Sequence, residues 1–173
     1  MIPKICLTAS AFLIRENKVL LVKHKKLQKW LSPGGHIDEN ELPHMAAQRE
    51  FLEETGLKIQ IYSSRETLFH PIPIAINEHW VCEENYNRRL LALKNKQTFI
   101  PTEKWRKGCE KHLNFSYLAK LVGPSIIKPG EGESTEVTWF SMKDLEGEYR
   151  NELAISVFEE VVTAFELAKL IHS

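Results

Sequence analysis

The sequence has little of what marks membrane-bound, nucleic-acid-binding or disulfide-rich proteins. Lysine plus arginine equals aspartate plus glutamate, 23 of each, so net charge gives no support for a nucleic-acid partner. No apolar run approaches the roughly 20 residues of a membrane-spanning helix, and the first residues lack a signal-peptide pattern. The three cysteines, Cys6, Cys82 and Cys109, form an odd, scattered set. Free thiols in a reducing cytoplasm fit that set better than a disulfide framework, so we expect a cytoplasmic protein without membrane contact.

What is present fits one globular unit. A chain of 173 residues with 43% hydrophobic and 27% charged residues can bury a sizeable core. We see no internal repeat, low-complexity tract or linker, and therefore expect a single domain over residues 1–173. A polar stretch at about residues 71–108 has the character of an insertion, with a short helix around Asn87–Lys94.

Periodicity and turn residues predict alternating strands and helices. A polar turn, Arg15 to Lys18, joins two apolar runs and predicts a β-hairpin. Pro43 suits the first turn of a helix and Gly56 suits the position just past its end. Further strands are expected within 58–69, 112–121 and 136–140, and a long amphipathic helix over 151–171. Strands flanking two packed helices indicate a layered α/β domain.

The first predicted helix carries a cluster of carboxylates. Glu50, Glu53 and Glu54 stand at i, i+3 and i+4, so their side chains neighbour one another on one helical face. Clustered like charges destabilise a helix unless a cation joins them, and carboxylate oxygens suit Mg²⁺ or Mn²⁺. The stretch therefore suggests metal-assisted phosphoryl chemistry, although a glutamate-rich stretch can also be a solvated helix face.

The same region resembles the Nudix box. Every fixed position of that pattern is filled, by Gly35, Glu41, Arg49, Glu50, Phe51, Glu53, Glu54, Gly56 and Leu57. A match at so many positions over a fixed span is specific. The resemblance implies the Nudix α/β/α sandwich with a mixed β-sheet.

The resemblance also implies roles for the box residues. Glu50, Glu53 and Glu54 would bind one or more Mg²⁺ or Mn²⁺ ions, with the backbone carbonyl at Gly35 as a further ligand. Arg49 and Glu41 would pair and hold the loop against the helix. The general base is open: either Glu50 takes the proton, or a carboxylate on a distant loop does so. The candidates on that loop are Glu131, Glu133 and Glu136.

The activity implied is hydrolysis of a diphosphate linkage in a nucleoside diphosphate derivative, such as a nucleotide, a nucleotide sugar or an ADP-ribose-like compound. Two alternatives stay open: a catalytically silent Nudix-fold module that binds a nucleotide, and an RNA-pyrophosphate hydrolase. Pro71 resembles the downstream proline of the ADP-ribose type, but one proline within a Pro-Ile-Pro run leaves the substrate open.

A second set of residues lies in and beside the insertion. His79 and Cys82 form an HxxC pair, and Cys109 and His112 form a CxxH pair. Two pairs of this spacing are candidates for a structural Zn²⁺ site, with chance placement as the competing interpretation. The insertion itself is a candidate wall of the substrate pocket or a homodimer contact.

Overall fold

The computed structural model describes residues 4–62, 71, 73–80, 94–95, 109–130, 136–154 and 156–172. Within these residues, eight strands form one sheet: β1 Ile5–Arg15, β2 Lys18–Lys23, β3 Trp30–Leu31, β4 Gly34–His36, β5 Ile59–Ile61, β6 Ala75–Trp80, β7 Lys111–Leu121 and β8 Val137–Ser141. The helices are α1 Pro43–Thr55, α2 Met142–Glu146 and α3 Val157–His172, with a 3₁₀ turn at Arg150–Glu152.

Strand β1 lies at the centre of the sheet. It pairs in parallel with β7 along nine residues, from Ile5 opposite Lys111 to Leu13 opposite Ala119. On its other edge it pairs antiparallel with β4 and then with β2. The remaining strands extend the sheet outward from β2 and β7. The sheet is therefore mixed, as the resemblance to the Nudix family implied.

The predicted hairpin joins β1 to β2. Arg15 pairs with Lys18, which leaves a two-residue turn of Glu16 and Asn17. Both turn residues have positive φ, 50° and 58°. That backbone matches the twist of the flanking strands, which is why short hairpins favour it.

The two faces of the sheet are covered by different helices. Alternate residues of a strand point to opposite faces, so Ala9, Ala11 and Leu13 pack with Phe51 of α1. Phe12 points the other way and joins a second core with Val161 and other α3 residues. Helix, sheet and helix thus form three layers, which confirms the predicted α/β/α sandwich.

Helix α1 begins and ends as predicted. Pro43 opens it, and Gly56 closes it in the left-handed conformation at φ 74°. A Cβ on Gly56 would lie 2.4 Å from the carbonyl oxygen of Lys128. The loop before β8 therefore passes directly against the end of this helix.

Helix α3 is shorter than the predicted span 151–171. Ser156 has φ 69°, which interrupts a right-handed helix, and α3 begins only at Val157. Leu153 is extended instead and forms a bridge with Trp30. Ile171, near the end of α3, is 47% exposed.

Part of the predicted insertion belongs to the sheet. Strand β6 pairs antiparallel with β7 from Ala75 opposite Ser116 to Trp80 opposite Lys111. The sequence pattern of this stretch is polar because the strand pairs with a polar stretch of β7, and the strand was therefore not predicted. The short helix expected around Asn87–Lys94 lies outside the described residues apart from Lys94.

The prediction of free thiols is wrong for two of the three cysteines. Cys6 and Cys109 are joined by a disulfide across 103 residues of sequence. Parallel pairing of β1 with β7 brings the starts of the two strands together, and no feature of the cysteine spacing signals it. Cys82 lies outside the described residues.

Candidate active site

Strand β4 and helix α1 meet through the backbone of Gly35. A Cβ on Gly35 would lie 2.4 Å from Cδ of Glu50 and 2.5 Å from each carboxylate oxygen. Any side chain at this position would displace the carboxylate. Gly35 therefore allows the strand backbone to lie directly against the Glu50 carboxylate.

The side chain of Glu54, also from α1, is bonded to the same strand, β4. It is only 7% exposed, and its Oε2 accepts a 2.9 Å hydrogen bond from the backbone N–H of Gly34. A buried carboxylate with such a bond has a fixed orientation. Glu50 and Glu54, one helical turn apart, thus face β4 together.

Arg49 joins the remaining box carboxylates. It donates to Glu41 through two nitrogens, Nε at 3.0 Å and Nη2 at 2.8 Å. Its Nη1 donates to Glu50 at 2.8 Å and to Glu53 at 3.2 Å, and Nη2 also reaches the carbonyl oxygen of His36 at 3.0 Å. The planar guanidinium suits this bidentate arrangement. One side chain thereby ties the loop before α1 to two carboxylates of α1.

The pairing of Arg49 with Glu41 shifts the pKa of both groups. The hydrogen bond from Arg49 lowers the pKa of Glu41 below its ordinary value. The same bond raises the pKa of Arg49, with Glu50 contributing in the same direction. Each group stabilises the charged form of the other. The predicted pair is therefore present in the structure, while its supporting role in activity stays a prediction.

The arrangement suits a hard divalent cation. Glu50 and Glu53 each place a carboxylate oxygen within 3.2 Å of a single nitrogen of Arg49, so two carboxylates already converge on one positive group. The Glu53 side chain is 46% exposed and the Glu50 side chain 16%. Glu53 is thus accessible from solvent, while Glu50 and Glu54 form the inner wall. Carboxylate oxygens beside a strand backbone are the donors that Mg²⁺ and Mn²⁺ prefer.

Glu131, Glu133 and Glu136 are the other candidates for the general base. Glu131 and Glu133 lie outside the described residues. The residue before them, Gly130, donates its N–H to the carbonyl oxygen of Glu53 at 2.8 Å. Their loop therefore starts beside the box helix. Glu136 instead lies next to Lys23, with 3.9 Å between Oε1 and Nζ.

The structure does not support the predicted zinc set of His79, Cys82, Cys109 and His112. The sulfur of Cys109 is bonded to Cys6, a residue outside that set. Cys82 lies outside the described residues. The backbones of His79 and His112 are register partners in β6 and β7.

A buried polar row on the α3 face was missed by the sequence analysis. Asn114 accepts from Thr8 at 2.9 Å and donates to Ser10 and Ser116 at 3.0 and 2.9 Å. Ser116 in turn donates to the buried carboxylate of Glu160 in α3. Polar residues at alternate positions of both strands, Thr8-Ala-Ser10 and Asn114-Phe-Ser116, are the signal that was available.

Comparison with known proteins identifies a family for this chain. The family model described as "NUDIX domain" matches residues 4–160. The chain therefore belongs to the NUDIX family. Among the described helices, none has the length and apolar character needed to cross a bilayer.

A solved relative covers nearly the whole fold. A hydrolase of the NUDIX family from Clostridium perfringens has a TM-score of 0.68 and 25% identity, covering 94% of this chain and 97% of that one. The RNA pyrophosphohydrolase of Bartonella henselae is 27% identical over 123 residues, 70% of this chain and 60% of that protein. The 8-oxo-dGTP diphosphatase of Buchnera aphidicola is 41% identical over 51 residues, 27% of this chain and 39% of that protein. The chain thus spans less than two thirds of the length of either curated relative.

Proposed function

We propose that this chain is a metal-dependent pyrophosphohydrolase that cleaves the diphosphate linkage of a nucleoside diphosphate derivative. The observation that carries the proposal is the packing of Glu50 and Glu54 on the Gly34–Gly35 backbone, with Arg49 joining Glu50 to Glu53. A solvated glutamate face would not need two glycines beneath it. This arrangement instead keeps carboxylates in place at a strand edge.

Glu50, Glu53, Glu54 and the Gly35 carbonyl would hold Mg²⁺ or Mn²⁺. Such an ion, when bound, neutralises negative charge on the diphosphate oxygens. Neighbouring side chains set the positions of these ligands. Arg49 keeps Glu50 and Glu53 at a common position, and Glu41 fixes Arg49 from the other side. A ligand set held in this way loses little freedom when the substrate arrives.

A carboxylate must also accept the proton of the attacking water. Glu50 is the first candidate, because its carboxylate lies against Gly35 and is mostly shielded. Glu133 is the second, because its loop begins beside Glu53. Glu136 is the third, although the contact that the structure gives it is with Lys23. Oxygen attack on phosphorus then breaks the phosphoanhydride bond and releases a phosphate ester.

The substrate is proposed only as a class. The two curated relatives are named for an oxidised nucleoside triphosphate and for RNA. Both names describe phosphoanhydrides attached to a nucleoside, which is the chemistry that the box carboxylates suit. A cytoplasmic location and a homodimer contact through residues 71–108 stay predictions.

The test is phosphate release from a substrate panel with Mg²⁺ and with Mn²⁺. The panel contains ordinary and oxidised nucleoside triphosphates, ADP-ribose, nucleotide sugars, dinucleoside polyphosphates and triphosphate-ended RNA, with a phosphatase as coupling enzyme. Glu53→Gln is expected to abolish turnover. Glu39→Gln is the matched control, because Glu39 is an exposed glutamate at a variable position of the same box. Equal activity of the two variants would overturn the proposal.

A binding measurement distinguishes the enzyme from the alternative, a catalytically silent module that binds a nucleotide. Calorimetry of the unmodified chain with a nucleotide and Mn²⁺ would then show affinity without product. Turnover of RNA alone, with no cleavage of small nucleotides, would instead favour the RNA-pyrophosphate hydrolase.

A further inference from the structure

A second cluster of metal-ligating side chains lies on the other face of strand β4. Gly35 faces α1, and its neighbour His36 must point to the opposite side. His36 pairs in register with Thr8 of β1, and Cys6 lies two residues before Thr8 on the same face. The buried cysteine Cys109 completes this cluster just before β7.

The ligand atoms of this cluster are close together. One from each of Cys6, His36 and Cys109 lies within 4.8 Å of the others. His36 Nε2 is 3.1 Å from the sulfur of Cys109. A fourth group is nearby, since the ring centroids of His36 and His112 are 5.1 Å apart and His112 is the register partner of Cys6.

Two sulfurs and two imidazoles are the donor set of a soft or borderline metal. Zn²⁺ takes four such ligands in a tetrahedron, while the Mg²⁺ and Mn²⁺ suited to the box glutamates prefer oxygen. With a Zn–S distance of about 2.3 Å, tetrahedral sulfurs lie about 3.8 Å apart. The Cα atoms of Cys6 and Cys109 are 5.8 Å apart, so side-chain rotation alone can reach that separation once the disulfide is reduced.

We propose that the reduced chain binds Zn²⁺ through Cys6, Cys109, His36 and His112. The disulfide is the oxidised, metal-free state of the same four residues. These ligands come from β1, β4 and the start of β7, so the ion would link three chain segments that are distant in sequence. The exposed His36 gives the site access to solvent.

The two states interconvert by thiol–disulfide exchange with a low-molecular-weight disulfide, RSSR. The thiolate of one cysteine attacks a sulfur of RSSR, forming a mixed disulfide and releasing RS⁻. The second cysteine thiolate attacks the protein sulfur of that mixed disulfide and releases a second RS⁻. The two cysteines lose two electrons, RSSR gains two, and Zn²⁺ leaves because its thiolate ligands are consumed.

Cobalt absorption tests this site without relying on activity. Co²⁺ bound by thiolates has a charge-transfer band in the near ultraviolet, whereas Co²⁺ held by the box carboxylates has none. The fully reduced chain, titrated with Co²⁺ under anaerobic conditions, is expected to develop this band with one ion per chain. Added Zn²⁺ should bleach it, and oxidised glutathione should remove it while two thiols per chain disappear.

Variants make the assignment specific. Cys6→Ser and Cys109→Ser should lose the band, and Cys82→Ser, the matched control, should keep it. Should a cysteine variant fail to fold, His36→Gln replaces it and should weaken Zn²⁺ binding more than about tenfold, since even loss of an outer partner costs that much. Absence of the band in the reduced chain, its persistence in Cys109→Ser, or its loss in Cys82→Ser would overturn the proposal.

Discussion

Gly35 and His36 are neighbours in strand β4, yet they face opposite sides of the sheet and contribute to different clusters. On the α1 face, carboxylates come from one helix and one preceding loop, and Arg49 links them. On the α3 face, Cys6, His36 and Cys109 come from three separate stretches of chain. The first cluster is local in sequence and visible as a motif. The second exists only because β1 pairs with both β4 and β7.

The difference between the two faces of β4 is tested most directly by replacing its two adjacent glycines, Gly34 and Gly35, one at a time. In Gly35→Ala, the new Cβ meets the flexible end of Glu50, so the carboxylate moves and the fold survives. Because a misplacement of 1 Å can cost about 100-fold in rate, we expect kcat to fall by at least that factor with little change in melting temperature.

Gly34→Ala is the matched variant. Its Cβ would lie 2.4 Å from the carbonyl oxygen of Ala9, a backbone atom that cannot turn away. We expect a loss of about 1–3 kcal/mol in the free energy of unfolding, as for other overpacked sites. Measured by urea denaturation, equal destabilisation of both variants would contradict the assignment of Gly35 to the carboxylate face.

Arg49→Lys should lower activity next most strongly. Lysine keeps the positive charge but loses the planar fork that contacts Glu41, Glu50 and Glu53 at once. By analogy with outer-shell residues of metal sites, we expect about a 10–100-fold loss in kcat and a weaker affinity for Mn²⁺. Steady-state kinetics and Mn²⁺ titration check this. Arg15→Lys, at an exposed ion pair, should behave as the unmodified chain does.

Ser116→Ala probes the polar row on the α3 face. It removes the hydroxyl that donates to Glu160 and accepts from Asn114, leaving two buried groups short of a partner. The expected cost is about 1–3 kcal/mol in the free energy of unfolding. Ser125→Ala, at an exposed loop position, is the control in the same urea experiment, and a similar cost for both would contradict the role of the row.

The smallest expected effect is a pH dependence of the free energy of unfolding, caused by Glu41. Arg49 lowers the pKa of Glu41 in the folded chain below its ordinary value of 4.5. The folded state therefore binds this proton less readily than the unfolded state, and the pair stabilises the fold above the unfolded pKa. That contribution is lost as pH falls through the folded pKa.

Glu41→Gln is the variant for this measurement. Its difference in free energy of unfolding from the unmodified chain should be constant near neutral pH and should shrink below pH 4.5. Urea unfolding at a series of pH values measures it. A difference that does not change with pH would show that Glu41 acts without its charge.

The parts of the fold that were predictable depend on residues close together in the chain. Helix α1, its Pro43 start and its Gly56 end follow from local backbone preferences. The hairpin follows from a polar turn between apolar runs. Strand β6 was missed because it is polar and pairs with a polar stretch of β7. The start of α3 was misplaced because the left-handed Ser156 has no marked sequence signal.

From sequence alone, helical spacing determined that Arg49 shares one helix with Glu50, Glu53 and Glu54, and the resemblance to the Nudix box implied that the backbone at Gly35 belongs to the same site. Helical periodicity and the freedom of glycine both act over a few residues of chain, so a local motif carries them. Only the tertiary structure decided that Cys6 joins Cys109 and that His36 lies beside them. Pairing between distant strands depends on the register of the whole sheet, and one residue's shift would send these side chains to the other face.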